Sequence, residues 1–391
     1  MKPTMTSLER VRATVRGLPV DRVPVFLWIN AHTGAQLMAE YRPSSHPHWN
    51  LAARWFWRRF QQRGGMDASE LDRLLPLLFD IHTFNWANLY GLDLGGDLFL
   101  AAPGTPWHYA RIFRRNGHFM MRDLFGVERA MGGIYPDMVG PPIRDLESLR
   151  AYTLPDLPTD KLCAPFRRLR RLYPGASIAA EIWGPQDFTA TSLFGMERFM
   201  LFLLDYPEEM HRFLSRWTDW WVETIRGCAA AGADTIAILD DYGYDRRPLL
   251  SMPMWKEFTW PLLRRLVDAA REAGAMVMLH SCGYQTPFLP FYVEAGIDML
   301  QSFQPQAGND FGAAYGQYGD RLTFITGIDI QRGESMRPEA LAAEIVANYR
   351  LAGCRGRHIL GTTHEIQYTM PRANLMAILD TVRSIQAGME D

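Results

Sequence analysis

The chain has 391 residues, of which 48% are apolar and 21% charged, a balance that supports a sizeable folded core and excludes extensive disorder. Forty-one Lys and Arg against 43 Asp and Glu leave a formal charge of -2, so no whole-molecule field recruits nucleic acid or an anionic membrane. No apolar run reaches the roughly 18 residues of a membrane helix, and Met1 to Arg16 carries no export-type apolar segment, so a cytoplasmic protein is expected.

In chain order, a helix is expected over Ser7 to Gly17 and a strand over Val23 to Trp28. The stretch from Ala31 to Pro165 is less regular. It contains a helical pattern over Trp49 to Arg63, a hairpin between Leu98 and Arg122, and a Pro-rich linker from Pro141-Pro142 through Pro155 and Pro158. Arg167, Arg168, Arg170 and Arg171 alternate with Leu169 and Leu172 as on a helix with one solvated face.

From about residue 175 short β-rich apolar runs alternate with long amphipathic ones. The strands are Ser177 to Ile182, Thr235 to Leu239, Ala275 to Leu279, Asp298 to Ser302, Leu322 to Thr326 and His358 to Gly361. Helices fill Pro207 to Ala230, Pro253 to Ala273 and Pro338 to Leu351, and Gly232, Gly274 and Gly296 each end a helix just before a strand. This rhythm predicts an α/β fold, a (β/α)8 TIM barrel, as one domain over 1–391. Residues 1–165 would form an N-terminal elaboration that includes the first strand, and 166–391 the regular βα units.

A barrel of this type works at the carboxyl ends of its strands. Those ends are polar here: Glu181 with Trp183-Gly184-Pro185-Gln186-Asp187, then Asp240-Asp241-Tyr242-Gly243-Tyr244, His280-Ser281-Cys282-Gly283 and Thr363-His364-Glu365. His280 and Cys282 stand two apart on extended backbone, so both point to one side. Cys163, Cys228, Cys282 and Cys354 are too dispersed for a disulfide framework, so each is core filler or chemistry. A His-x-Cys pair alone also fits buried filler. Its place at a barrel mouth, with His364 at another strand end, favours a catalytic zinc site that keeps one position open.

Several motifs resemble the uroporphyrinogen decarboxylase superfamily, and particularly its corrinoid-dependent methyltransferase branch, which includes methylcobamide:coenzyme M methyltransferases and O-demethylases. They are Glu9-Arg10-Val11-Arg12-Ala13 through Pro19-Val20-Asp21-Arg22-Val23-Pro24, Asp240-Asp241-Tyr242-Gly243, Leu279-His280-Ser281-Cys282-Gly283, Glu294-Ala295-Gly296-Ile297-Asp298 and Gly327-Ile328-Asp329-Ile330-Gln331. True decarboxylases carry an Arg-Gln-Ala-Gly-Arg signature after the first strand. Here Trp28-Ile29-Asn30-Ala31-His32-Thr33-Gly34 has no Arg, which argues against a porphyrinogen substrate. Where the coenzyme M enzymes use a Cys as third metal ligand, this chain has His364.

The resemblance implies zinc held by His280, Cys282 and His364, and a methyl group passed from a small donor to a cobalt(I) corrinoid. One thiolate instead of two leaves the metal a stronger Lewis acid, which favours an oxygen-bound donor such as a methoxylated ring. Asp240, Asp241 and Tyr242 would serve substrate or proton transfer, and Glu181 and Glu365 would orient the histidines. Trp28, His32, Trp183, Tyr244 and Asp329 would contact substrate, with Phe26, Phe84 and Trp86 adding to an aromatic pocket. Asp80-Ile81-His82-Thr83-Phe84-Asn85 approaches a cobalamin-binding Asp-x-His-x-x-Gly but lacks the Gly, so the cobalamin should arrive on a partner corrinoid protein. A metal-dependent decarboxylase or lyase of a small acid, a methylcobamide:thiol methyltransferase and a non-catalytic binding barrel are the competing readings.

Overall fold

The computed structural model describes residues 4–29, 96–101, 103, 111–130, 137–156, 159–352, 356–367 and 369–388. His32, the helical pattern over Trp49 to Arg63, the Asp80 to Asn85 motif, Phe84, Trp86 and Cys354 lie outside the described residues.

The first helix, α1 (Ser7–Val15), starts at a capping box: the Thr6 side chain accepts the Glu9 N–H, and the Glu9 carboxylate accepts the Thr6 N–H. Twelve strands follow in chain order. They are β1 (Val25–Phe26), β2 (Leu98–Ala101), β3 (Arg111–Arg115), β4 (His118–Arg122), β5 (Glu128–Ala130), β6 (Asp137–Gly140), β7 (Ser177–Trp183), β8 (Thr235–Leu239), β9 (Met276–His280), β10 (Met299–Gln301), β11 (Thr323–Ile328) and β12 (His358–Thr362).

Eight of them form one parallel sheet in the order β1-β12-β11-β10-β9-β8-β7-β2. The seam between β1 and β2 is bridged by Asp97, whose N–H donates to the Val25 carbonyl at 2.6 Å and whose carboxylate accepts the Val25 N–H at 3.0 Å. Asp97 is wholly buried and also takes Arg10 at 2.6 Å and Arg22 at 2.8 Å, so the curled sheet closes around a carboxylate held by two guanidiniums.

Period-two alternation divides the strand side chains. Phe26, Leu100, Ala179, Ala237, Leu239, Met278, Met299, Ile325 and Ile359 fill the barrel, with Val11 and Val15 of α1 closing its lower end. Ile178, Ala180, Ile182, Ile236, Ile238, Val277 and Leu279 face outward into a larger core shared with the helices. Those helices include α2 (Leu146–Ala151), α3 (Thr159–Leu172), α4 (Met196–Asp205), α5 (Pro207–Ala230), α6 (Trp260–Glu272), α7 (Leu289–Ala295), α8 (Phe311–Tyr318), α9 (Pro338–Ala352) and α10 (Arg372–Ala387).

Three expectations change. Leu98–Ala101 is not one arm of a hairpin but the second barrel strand, parallel to β7. The hairpin is β3–β4, turned by Asn116 and Gly117 at φ 52° and 80°, and it belongs to an antiparallel sheet of β3-β4-β5-β6. The Pro-rich linker carries α2, which Asp145 caps by accepting the Ser148 N–H. The helix expected over Pro253 to Ala273 is broken by a widened turn at Trp255–Thr259 before α6 begins. Cys163 of α3 and Cys228 of α5 meet in the outer core with sulfurs 3.5 Å apart. No helix among the described residues is long and apolar enough to cross a membrane.

Candidate metal centre

His280 is the last residue of β9 and shares the inward side with Met278; Cys282 follows two residues on. His364 stands two residues beyond β12. One ligand atom from each of the three lies within 4.8 Å of the others. The Cys282 sulfur is 3.5 Å from His280 Nε2. Tetrahedral ligands about 2.1 and 2.3 Å from one zinc ion stand about 3.6 Å apart, so this edge already has the required length.

The protonation of His280 follows from its neighbours. Gln301, wholly buried at the end of β10, donates its amide NH₂ to the Thr362 carbonyl at 2.9 Å, which turns its amide oxygen toward His280 Nδ1. Nδ1 therefore carries the proton, and the Nε2 lone pair faces the Cys282 sulfur, the tautomer a metal ligand needs. Burial, reinforced by the Asp241 charge, pushes the Cys282 thiol above its ordinary value, while His364 draws it down. A half-buried thiol beside two imidazoles is the donor set a divalent soft-to-borderline cation satisfies, and the residues fit zinc.

Backbone contacts hold these side chains. Asp241 accepts the Cys282 N–H at 2.7 Å and lies 3.8 Å from His280 Nε2. The Ser302 hydroxyl, 3.6 Å from the thiol, donates to the Thr363 carbonyl. Ser302 adopts φ 81°, uncommon for a residue with a side chain. Gly283, at φ 79°, presses against Gly243: a Cβ on Gly283 would stand 2.3 Å from the Gly243 carbonyl carbon. This close approach lets the loops after β8 and β9 exchange Gly243 N–H to Cys282 O and Tyr284 N–H to Tyr244 O.

Trp28 forms one wall. Its N–H donates to Thr362 Oγ1 at 3.2 Å, its carbonyl accepts from Ile366, and its indole stacks on His364 at 5.1 Å and meets His280 edge-on at 5.2 Å. Trp183 ends β7 on the inward side and packs against Phe188 at 5.0 Å. Beside Cys282 a cavity of about 360 Å³ is lined by Tyr244, Asp245, Gln304, Gln306 and Gln331. Tyr244 is exposed there, with Arg247 over its ring at 5.4 Å.

The alternation separates residues that looked alike in the sequence. Asp241 continues the inward series of Ala237 and Leu239, whereas Asp240 and Tyr242 continue the outward series of Ile236 and Ile238. Asp240 is buried, accepts the N–H groups of Gln186 at 3.0 Å and Asp187 at 2.5 Å, and is driven well above the carboxylate range by burial. Gly184 leaves room for it, since a Cβ there would sit 2.3 Å from the Asp240 carboxyl carbon. Asp240 thus pins the loop after β7 and does not face the three ligands. Tyr242 packs between Trp255 and Phe288 in the outer core, away from the centre.

Asp329 is buried as the cap of a short helix, accepting from the Gln331 and Arg332 N–H groups, and it reaches the cavity only by holding Gln306 at 2.5 Å. Glu181 shares the inward side of β7 with Ala179, and Glu365 is half-buried beside Gln367. For His280 Nδ1 the orienting partner is Gln301. Sequence reading passed over Gln301, although an amide inside the apolar run Met299-Leu300-Gln301 requires buried partners. Asp187 stood among the polar strand ends but was given no role; burial and then the Asp241 charge push it up to about 7, with His280 opposing.

The uroporphyrinogen decarboxylase (URO-D) family model matches residues 119–385. A methylated-thiol–coenzyme M methyltransferase of Methanosarcina mazei is 25% identical over 217 residues, 54% of each protein, so the chain spans about half the length of this relative. A uroporphyrinogen decarboxylase of Coxiella burnetii is 20% identical over 287 residues, 69% of this chain and 75% of that one. The solved structure of a methyltransferase from Methanosarcina mazei shares the fold at a TM-score of 0.65 and 17% identity, covering 97% of this chain and 99% of that chain. With the family model spanning more than half of its length, the chain belongs to the uroporphyrinogen decarboxylase family.

Proposed function

We propose that the protein is a zinc-dependent methyltransferase that moves a methyl group from a small donor, bound through oxygen, to a cobalt(I) corrinoid carried by a partner protein. The observation that carries this reading is the meeting of His280, Cys282 and His364 within 4.8 Å at the mouth of the barrel. Family membership and the methyltransferase among the relatives support methyl transfer over the other chemistry of the fold. Zinc bound by these side chains would supply Lewis acidity toward the heteroatom that the methyl group leaves.

The surrounding residues serve such a transfer. Gln301 keeps the His280 lone pair forward, and Asp241 fixes the Cys282 backbone. Trp28 and Trp183 offer apolar faces to a ring, and the cavity beside Cys282 has the volume of a small aromatic donor. A cobalt(I) corrinoid on the partner would supply the nucleophile that takes the methyl group, and the donor oxygen would be left as an anion. Asp187 at the same rim is the acid placed to protonate it, with the Asp241 charge keeping its carboxyl up.

The second reading, a thiol as the methyl partner, is favoured by the name of the Methanosarcina mazei relative. The test mixes the zinc-loaded protein with cob(I)alamin and separate methoxylated aromatics, methylamines and methylated thiols, following the cobalamin spectrum. Methylcobalamin from methoxylated aromatics supports the proposal. Formation from thiols alone replaces the oxygen donor with sulfur, and no methylcobalamin from any donor, with activity on a small acid in its absence, replaces methyl transfer with a lyase.

A further inference from the structure

The lower end of the barrel, opposite the metal centre, holds a cavity of about 580 Å³ between α1 and the bases of β8, β9, β10 and β12. Four guanidiniums line it: Arg12 and Arg16 from α1, Arg271 from the end of α6, and Arg357 from the residue before β12. Two acids, Asp234 and Asp298, share the lining.

The acids are already engaged. Asp234 accepts the Ile178 N–H at 3.1 Å and the Arg170 guanidinium, leaving Arg12 a contact of 3.4 Å. Asp298 accepts the Val277 N–H at 2.8 Å and stands 4.0 Å from Arg271. Arg357 spends one nitrogen on the carbonyls of Val15 and Arg321, and it shares the Asp298 charge with Arg271. Arg16 is exposed and has no acidic partner among the described residues. Four guanidiniums therefore face two engaged carboxylates around a concave space, an excess of positive charge although the chain as a whole is close to neutral.

Arg12 and Arg16 are one turn apart and present both heads to the same opening. Bare Gly274, which has open space where a Cβ would stand, keeps the floor clear. The guanidinium forks of Arg12, Arg16 and Arg357, the last packed against the end of α1, match a ligand with several acceptor oxygens and a charge of about two.

We infer that this lower cavity binds a compact phosphate-bearing anion, a site independent of the metal centre. The source is either free inorganic diphosphate or the diphosphate of a nucleotide, which offer the same oxygens. Isothermal titration calorimetry of the full chain with sodium diphosphate, with ADP and with citrate separates the sources and tests phosphate against carboxylate. Diphosphate should bind in one-to-one ratio, more weakly as sodium chloride rises, and Arg16→Gln should weaken it about tenfold. Tighter binding of ADP than of diphosphate assigns the nucleotide. Because diphosphate also chelates metals, Cys282→Ala is titrated in parallel and should bind it as the unaltered protein does. No heat of binding, citrate binding as tightly as diphosphate, unchanged affinity in Arg16→Gln, or loss of binding in Cys282→Ala would each overturn the assignment.

Discussion

His358, the first residue of β12, sets a limit on acid stability that can be worked out from its surroundings. It is 1% exposed on the outward side of the strand, packed against Phe311 at 5.4 Å. Its Nε2 donates to the Thr326 carbonyl at 3.0 Å and its Nδ1 finds no partner among the described residues. Burial lowers its pKa from 6.5 to about 4, with the Thr326 bond opposing. The folded value lies below the unfolded one, so unfolding takes up a proton between these limits and stability falls as pH drops from 6.5 toward 4. At about 1.4 kcal/mol per pH unit the loss reaches about 3 kcal/mol by pH 4, a large share of a typical domain's stability. His358→Gln keeps a donor for Thr326 and cannot titrate. Urea unfolding of both proteins at pH 7.5, 6.5, 5.5 and 4.5 should give curves that diverge below pH 6.5, the variant retaining the larger fraction of its neutral-pH stability. Parallel losses in the two proteins would refute a neutral, desolvated His358.

Four further outcomes are expected. Cys282→Ala should purify folded by circular dichroism but without stoichiometric zinc by metal analysis, and without methyl transfer. Gln301→Leu should weaken zinc about 10- to 100-fold in chelator competition by freeing His280, while Gln301→Glu, which keeps an acceptor, should weaken it less. Gly283→Ala forces a Cβ into the Gly243 backbone at φ 79°, so it should lose about 2 kcal/mol or more in urea unfolding together with zinc. Asp97→Asn leaves Arg10 and Arg22 facing a neutral amide at the barrel seam and should cost about 3 to 5 kcal/mol by the same measurement.

Most of the barrel was legible because its strands are short apolar runs closed by Gly turns, and β8 was placed to the residue. Leu98–Ala101 escaped because four apolar residues look alike as a hairpin arm and as a buried parallel strand; only its partner β7 distinguishes them. That His280, Cys282 and His364 come together was legible from spacing and from their place at strand ends. The split between Asp240 and Asp241 was present in the same alternation, since counting from Ile236 and Ala237 assigns the two to opposite faces. Gln301 was harder, because its role arises from Thr362 and His280, distant in sequence and joined only by the closed sheet. The lower cavity was not legible at all: Arg12, Arg16, Arg271 and Arg357 come from segments whose convergence depends on α1 turning into the barrel.

The contact between Gly243 and Gly283 has a consequence for how the donor pocket can diversify. With two main chains touching and no side chain between them, the segments that carry Asp241 and Cys282 tolerate neither bulk nor separation. Variation in what the cavity accepts must come from Gln306 and Gln331, since Gln304 accepts the Gly283 N–H at 2.9 Å and shares that constraint. Libraries aimed at altered ligand range should leave the glycine pair and Gln304 intact and vary Gln306 and Gln331.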